Sequence, residues 1–96
     1  MRLEWSLEAM ADRERIFDYI AEASPWTALD VDDRISAIDA QLRRFPSSGR
    51  VGRVPGTREF IVYNSPYIAI YELRDELVFI LRVVHGARLW PPRDLI

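Results

Sequence analysis

The sequence predicts a single α+β domain, in which a helical hairpin covers one face of an antiparallel sheet in the order β-α-α-β-β-β. Three observations lead to this prediction. The chain has 96 residues, which is enough for one hydrophobic core but not for two. Its first half contains two stretches with apolar residues at helical spacing. Its second half contains three short runs rich in Ile, Val, Phe and Tyr, which favour strands. We therefore expect residues 1–96 to form one domain.

The first two elements follow from the N-terminal residues. Arg2–Trp5 alternates polar and apolar side chains, as an edge strand does when it packs one face on a core. Ser6 offers an N-cap oxygen for a helix, and Ser24 and Pro25 end the apolar pattern of that helix. The residues near its predicted apolar face are Leu7, Met10, Ile16, Phe17, Ile20 and Ala21.

The second helix has a clearer pattern. Apolar residues recur at steps of three and four from Ala28 to Phe45, and polar residues occupy the opposite side. The first half of this helix is acidic, whereas Arg43 and Arg44 lie in its last turn, as the helix dipole favours. Residues 46–49 then end it with a proline and a glycine. Two helices joined by a few residues form an antiparallel hairpin.

The second half of the chain predicts a meander of three strands. These are Arg58–Tyr63, Tyr67–Leu73 and Leu77–Val84, separated by the short connections 64–66 and 74–76. Connections of this length join antiparallel neighbours. The last strand is almost continuously apolar, which indicates a central position in the sheet.

Composition excludes several classes of function. The chain has no cysteine and one histidine, so we expect no disulfide, no thiolate chemistry and no metal site. No run of about 18 apolar residues is present, and the N-terminus lacks the basic and apolar segments of a signal peptide. We therefore expect a cytoplasmic protein that has no contact with a membrane and needs no cofactor.

Charge is segregated along the chain. Residues 1–49 contain ten acids and six arginines, a net charge of −4, whereas residues 50–96 contain five acids and seven arginines, a net charge of +2. All basic residues are arginine, the side chain suited to bidentate recognition of carboxylate or phosphate. We expect the second half to gather one anion-facing edge for a partner. Its residues are Arg50, Arg53, Arg58, Arg82, Arg88 and Trp90.

Arg82 and His85 are the candidates with the most distinctive surroundings. Arg82 interrupts the most apolar strand, where an unpaired guanidinium would be costly to bury, so its head group must reach water, a ligand or a carboxylate such as Glu59 or Glu72. On a straight strand Arg82 shares a face with Ile80, and His85 points the other way. His85 is either a proton shuttle or a structural residue that caps the strand end.

Four motifs follow one another in the second half of the chain: Gly52–Glu59, then Pro66-Tyr67-Ile68 leading to Tyr71, then Ile80–Arg88 and Trp90-Pro91. Together with the order of elements, they resemble the RelE/ParE superfamily of toxin-antitoxin toxins. The resemblance covers almost the entire chain. It implies a small cytoplasmic bacterial toxin that forms a hetero-oligomer with a cognate antitoxin.

The resemblance leaves two mechanisms open. A RelE-like toxin would be a ribosome-dependent endoribonuclease that cleaves mRNA, and Arg58, Arg82, His85 and Arg88 would then form the catalytic set. A ParE-like toxin would instead bind DNA gyrase, and the six residues of the anion-facing edge would contact this target or the antitoxin. We favour the ParE-like branch, because the chain is acidic, lacks lysine and does not match the Lys/Arg/Tyr pattern of the nucleases.

Overall fold

The computed structural model describes residues 1–86 and Pro91, which form three helices and five strands. In chain order the elements are β1 (Arg2–Trp5), α1 (Leu7–Ala21), α2 (Pro25–Ser36), α3 (Ile38–Arg44), β2 (Arg50–Val51), β3 (Arg58–Ile61), β4 (Tyr67–Arg74) and β5 (Leu77–His85). The α+β class is confirmed, and the predicted elements occur in the predicted order, with the second helix divided in two and one short strand added. Arg88 and Trp90 lie outside the described residues.

The five strands form one mixed sheet in the order β1-β5-β4-β3-β2. The pairs β3–β4 and β4–β5 are antiparallel, as predicted, and so is the pair β2–β3. Strand β1 runs parallel to β5, with Leu3 opposite Val78 and Trp5 opposite Ile80. The antiparallel prediction therefore holds for the meander only, because alternation along β1 identifies a strand but not the direction of its neighbour.

The core lies between the helices and one face of the sheet. Ile35, Ile38 and Leu42 come from the helices and are almost completely buried against the strands. The strand residues of the same cluster are Leu3, Tyr67, Ala69, Tyr71, Val78, Ile80 and Val83. Each fully buried aliphatic side chain contributes about 1.5–3 kcal/mol relative to an exposed one, so this cluster is the main source of stability.

The predicted second helix is two helices. It begins at Pro25, earlier than expected, because Ser24 caps it by accepting a hydrogen bond from the Thr27 backbone N–H at 3.2 Å and proline suits the first helical turn. It is interrupted at Ala37, between α2 and α3. The break lets α2 pack on α1 while α3 contacts β1, so both segments bury their apolar residues.

A short strand appears where the sequence predicts only a loop. Arg50 of β2 lies opposite Glu59 of β3, and Val51 lies opposite Arg58. The turn between these strands is closed by backbone bonds from Gly52 to Thr57 at 2.8 Å and from Thr57 to Val54 at 3.1 Å. The Arg- and Gly-containing loop is therefore a small hairpin that forms the outer edge of the sheet.

Tyr71 fixes the connection that leads into β2. Its buried hydroxyl donates to the Pro46 carbonyl at 2.7 Å and accepts from the Gly49 backbone N–H at 2.9 Å. Burial raises the pKa of Tyr71, although the Gly49 bond and the nearby Arg58 charge act in the opposite direction, so the hydroxyl is protonated at neutral pH. A Cβ atom at position 49 would lie 2.6 Å from this hydroxyl oxygen, so the position requires glycine.

We predict that Tyr71→Phe destabilises the fold by about 1–3 kcal/mol, because it leaves the buried Gly49 N–H and the Pro46 carbonyl without their shared partner. Tyr63→Phe is the matched control, since Tyr63 is 82% exposed and should change stability by less than about 0.5 kcal/mol. Urea unfolding followed by circular dichroism measures both. Equal midpoints for the two variants would contradict the structural role of the Tyr71 hydroxyl.

Candidate functional site

A β-bulge in β5 determines which face of the sheet carries Arg82. Tyr71 lies opposite Ile80 and Ile70 lies opposite Arg82, so Leu81 is an extra residue without a counterpart on β4. An extra residue reverses the in-and-out alternation beyond it. Ile80 and Val83 therefore both face the helices, whereas Arg82 faces the opposite side. The expectation that Arg82 shares a face with Ile80 is wrong because it assumes a regular strand.

Arg82 is held by Asp12 of α1. Its Nε donates to Asp12 Oδ2 at 2.7 Å and its Nη2 donates to Asp12 Oδ1 at 3.0 Å. The same carboxylate accepts the Val83 backbone N–H at 2.9 Å and an Arg15 N–H at 2.6 Å. The hydrogen bond with Asp12 raises the pKa of Arg82, against the effect of burial. The internal partner is thus neither Glu59 nor Glu72, the two acids that the sequence suggests.

Asp12 replaces a missing strand neighbour. Strand β1 ends at Trp5, opposite Ile80, so the outer edge of β5 beyond this point has no strand to bond with. The chain continues the contact through Ser6, whose N–H donates to the Ile80 carbonyl at 2.9 Å and whose hydroxyl donates to the Leu81 carbonyl at 2.7 Å. The Asp12 carboxylate then accepts a hydrogen bond from the Val83 N–H, which lies further along this edge. The N-terminal half of α1 therefore closes the edge of β5.

A second buried carboxylate organises the other end of the sheet. Glu59 is 3% exposed and accepts from Arg50 Nη2 at 2.9 Å and from the Arg53 backbone N–H at 3.1 Å. Burial works to raise the pKa of Glu59, but these two hydrogen bonds and the charges of Arg50 and Arg53 outweigh it, and the pKa lies below its ordinary value. Glu59 is therefore ionised at neutral pH and fixes both arginines.

The far face is the sheet face opposite the helices. Register places Arg50, Glu59, Ile70 and Arg82 in one row across β2, β3, β4 and β5. A second row contains Ile61, Ile68 and Val84. The far face therefore has an aliphatic centre, in which Ile61 is 57% exposed. An ion-paired arginine lies on either side of this centre.

Arg58 does not belong to the far face. It lies opposite Tyr71, whose side chain packs in the core on the helix side of the sheet. Its Nη1 donates to the carbonyls of Gly49 at 2.8 Å and Ser47 at 3.2 Å. Arg58 therefore supports the connection between α3 and β2. The six predicted binding residues are split accordingly: Arg50, Arg53 and Arg82 contribute to the far face, Arg58 does not, and Arg88 and Trp90 lie outside the described residues.

The predicted catalytic set is also not assembled in the described part of the chain. His85 lies opposite Tyr67, and the two rings make an edge-to-face contact with centroids 5.4 Å apart. This register places His85 on the side opposite to Arg82. At the end of the strand, however, His85 and Gly86 line a small cleft together with far-face residues. The cleft measures about 10 Å³, the size of a single water molecule, and its other lining residues are Arg53, Glu59, Ile68, Ile70 and Val84. The described far face offers a surface, with no pocket for a nucleotide.

Two further findings concern the described residues alone. They contain no group of three or more His, Cys, Asp or Glu side chains arranged to bind a metal ion. Their helices include none with the length and apolar content needed to cross a membrane.

Asp12 is the residue of this site that sequence reasoning missed. A signal was present, because Asp12 lies three residues after Ala9 and four before Ile16, in the middle of the apolar side of α1. A carboxylate at such a position needs a buried cation or N–H group. The sequence does not reveal that both come from β5, 70 and 71 residues away.

The fold is that of toxins from bacterial toxin-antitoxin systems. A solved structure described as the chromosomal ParDE toxin-antitoxin system from P. aeruginosa matches with a TM-score of 0.79 and 28% identity, over 88% of this chain and 95% of that chain. The crystal structure of the intact E. coli RelBE toxin-antitoxin complex matches in fold, with a TM-score of 0.64 and 14% identity, over 91% of this chain and 98% of that chain.

The chain belongs to the family described as the ParE toxin of the type II toxin-antitoxin system parDE, whose model matches residues 3–90. A relative from Sinorhizobium fredii, Y4kP, is named as a toxin and is 40% identical over 91 residues, 94% of this chain and 93% of its own length. Toxin RelE2 of Caulobacter vibrioides is 36% identical over 85 residues, 88% of this chain and 94% of its own length. The protein is a type II toxin of the RelE/ParE superfamily.

We predict that Asp12→Ala destabilises the fold by about 3 kcal/mol or more, because it removes the buried partner of Arg82 and of the Val83 N–H together. Asp18→Ala on the exposed side of the same helix is the control and should cost less than about 0.5 kcal/mol. Chemical denaturation of the two variants gives the comparison. A loss at Asp12 no larger than that at Asp18 would show that α1 is held to β5 by packing alone.

The lowered pKa of Glu59 leads to a prediction about the stability of the fold in acid. The pKa of Glu59 is lower in the folded chain than its ordinary value of 4.5. The ionised carboxylate therefore stabilises the fold fully above pH 4.5, and this stabilisation is lost as the pH falls through the folded pKa. The wild-type protein should therefore lose more free energy of unfolding between pH 7 and pH 3 than Glu59→Gln does. Denaturation curves at both pH values measure this difference. An identical pH dependence in the two proteins would exclude the proposed ion pairing.

Proposed function

We propose that this toxin is neutralised by a cognate antitoxin bound across its far face, and that it inhibits growth by binding DNA gyrase. The observation that carries the proposal is the chemistry of the far face. Its centre is aliphatic, and Arg50 and Arg82 are already paired with Glu59 and Asp12. An apolar centre with polar edges is typical of a protein-binding surface.

The same pairing argues against binding to an RNA backbone. Asp12 and Glu59 already offset the charges of Arg82 and Arg50, whereas affinity for nucleic acid comes from arginines whose charge neutralises phosphates. His85, the natural general acid or base, packs edge-to-face against the Tyr67 ring. These features favour the ParE-like mechanism, and the match of the ParE family model over residues 3–90 supports it further.

An antitoxin segment fits the far face in two ways. Apolar side chains of the segment would cover Ile61, Ile68 and Val84. Its acidic side chains would contact Arg50, whose side chain is 51% exposed, and Arg82, which is 34% exposed, through the parts of each guanidinium that face solvent. The P. aeruginosa and E. coli structures similar in fold are described as toxin-antitoxin assemblies, which supports such a partner for this chain.

Ribosome-dependent cleavage of mRNA is the second candidate. One relative is named toxin RelE2, and the E. coli RelBE toxin shares the fold. In this mechanism Arg82 would stabilise a phosphate while Asp12 offsets its charge, which weakens the effect.

The proposal predicts that induction of the chain in bacteria stops growth, and that coexpression of the protein encoded beside it restores growth. The purified chain should inhibit supercoiling by gyrase while transcripts stay intact. Supercoiling assays and mapping of mRNA ends in the same cultures give the result. Cleaved ribosome-bound mRNA with normal supercoiling would instead establish the nuclease.

A matched pair of variants tests the far face itself. Ile61→Asp places a charge in its aliphatic centre and should weaken antitoxin binding by about tenfold or more, equivalent to about 1.4 kcal/mol. Tyr19→Asp makes a similar change at a 74% exposed position on α1 and should have little effect. Equal affinities in a titration of the two variants with the antitoxin would show that the antitoxin does not bind the far face.

A further inference from the structure

The charges of the far face are balanced at the end nearest the β4–β5 turn. Alternation along β4 places Glu72 and Arg74 on this face, and the two side chains form a salt bridge. On β1, Leu3 packs in the core, so Arg2 and Glu4 point to the far face as well. The positive and negative charges at this end cancel, and the net charge of the far face is therefore set at its other end.

Asp12 and Glu59 lie beneath the arginines of that other end. The side chains of Asp12 and Glu59 are only 5% and 2% exposed, whereas those of Arg82 and Arg50 are 34% and 51% exposed. Each pair thus has its cation at the surface and its anion below. The fold holds both anions in place, since each carboxylate also accepts a backbone N–H, at 2.9 Å for Asp12 and at 3.1 Å for Glu59.

This arrangement separates hydrogen bonding from charge. The solvent-facing N–H groups of a paired guanidinium can still donate to a protein partner. The same guanidinium contributes little of the charge attraction on which binding to a nucleic-acid backbone depends, because the carboxylate beneath offsets its charge. If the charge of Asp12 were removed, Arg82 would lose this compensation together with Arg15, which donates to the same carboxylate at 2.6 Å. Glu8 also acts on Arg82 through its charge, but it is exposed to solvent, which screens it.

We propose that Asp12 and Glu59 are specificity-determining residues of the far face, which disfavour polyanions by neutralising Arg82 and Arg50 from below. A surface can select one class of partner by acting against another. The inference rests on the proposed function and deepens it, because it names the residues that decide the class of partner. Single-stranded RNA is the polyanion that distinguishes the two candidate functions, so it is the ligand to test.

Binding of a short fluorescent oligouridylate to the purified chain tests this role. Asp12→Asn and Glu59→Gln each remove a charge and keep the size of the side chain. At about 0.1 M salt, we expect each variant to bind the RNA about three- to tenfold more tightly than wild type. The slope of log K against log salt concentration should steepen by about 0.7, the value for one more phosphate contact on a single strand.

Three control variants separate charge from structure. Asp12→Glu and Glu59→Asp disturb the same buried contacts but keep the negative charge, so they should bind the RNA as weakly as wild type does. Asp18→Asn makes the same change in charge at an exposed position of α1. It should change the affinity by less than about twofold, because the Debye length is about 10 Å at 0.1 M salt. Circular dichroism shows which variants are folded, and the two sites give independent comparisons if one variant does not fold.

The outcomes separate the inference from the proposed function. Tighter RNA binding by Asp12→Asn or Glu59→Gln, with the charge-preserving variants at the wild-type level, would support the inference. Folded variants of both kinds that bind the RNA no better than wild type would overturn it. Equal gains for Asp12→Glu and Asp12→Asn would also overturn it, because a loosened structure would then be the cause. Supercoiling assays on the wild-type chain are a separate measurement, so a lack of gyrase inhibition would refute the proposed function without changing these comparisons of RNA affinity.

Discussion

The contact between Asp12 and β5 is the constraint on which the rest of the architecture depends. One carboxylate receives the guanidinium of Arg82 and the backbone N–H of Val83, so it fixes a helix to a strand edge that β1 is too short to cover. Without it, β5 would expose unpaired backbone groups next to a buried core. The helical hairpin is therefore joined to the sheet by directional bonds as well as by apolar packing.

The bulge at Leu81 and the Asp12 contact act together. The bulge turns Val83 towards the helices, where it is 3% exposed, and places Arg82 on the far face. Asp12 then draws the guanidinium of Arg82 to the edge of the sheet. As a result, the aliphatic centre of the far face lies between two neutralised arginines, and the net negative hairpin lies on the other side. The two sides of the toxin thus differ in both charge and shape.

Sequence patterns predicted the parts of this molecule that depend on neighbouring residues. The Ser6 cap and the periodicity around Ile35 and Leu42 identify the helices because these signals are local. The bulge, the partner of Arg82 and the role of Arg58 were not predicted, because each depends on residues brought together only by the fold. Arg50, Arg53 and Arg58 look equivalent in sequence, yet register and loop carbonyls give Arg58 a different environment from the other two.

The extra residue in β5 also has an evolutionary consequence. Insertions and deletions are tolerated in most loops but rarely in strands, since one residue exchanges the two sides of everything that follows. Leu81 is an exception, because deleting this unmatched residue would remove the bulge and leave Arg82 on the far face and Val83 towards the helices. A homologous toxin could therefore lack this one residue and still present the same side chains, whereas the loss of a residue paired with β4 would exchange the two sides of the strand beyond it.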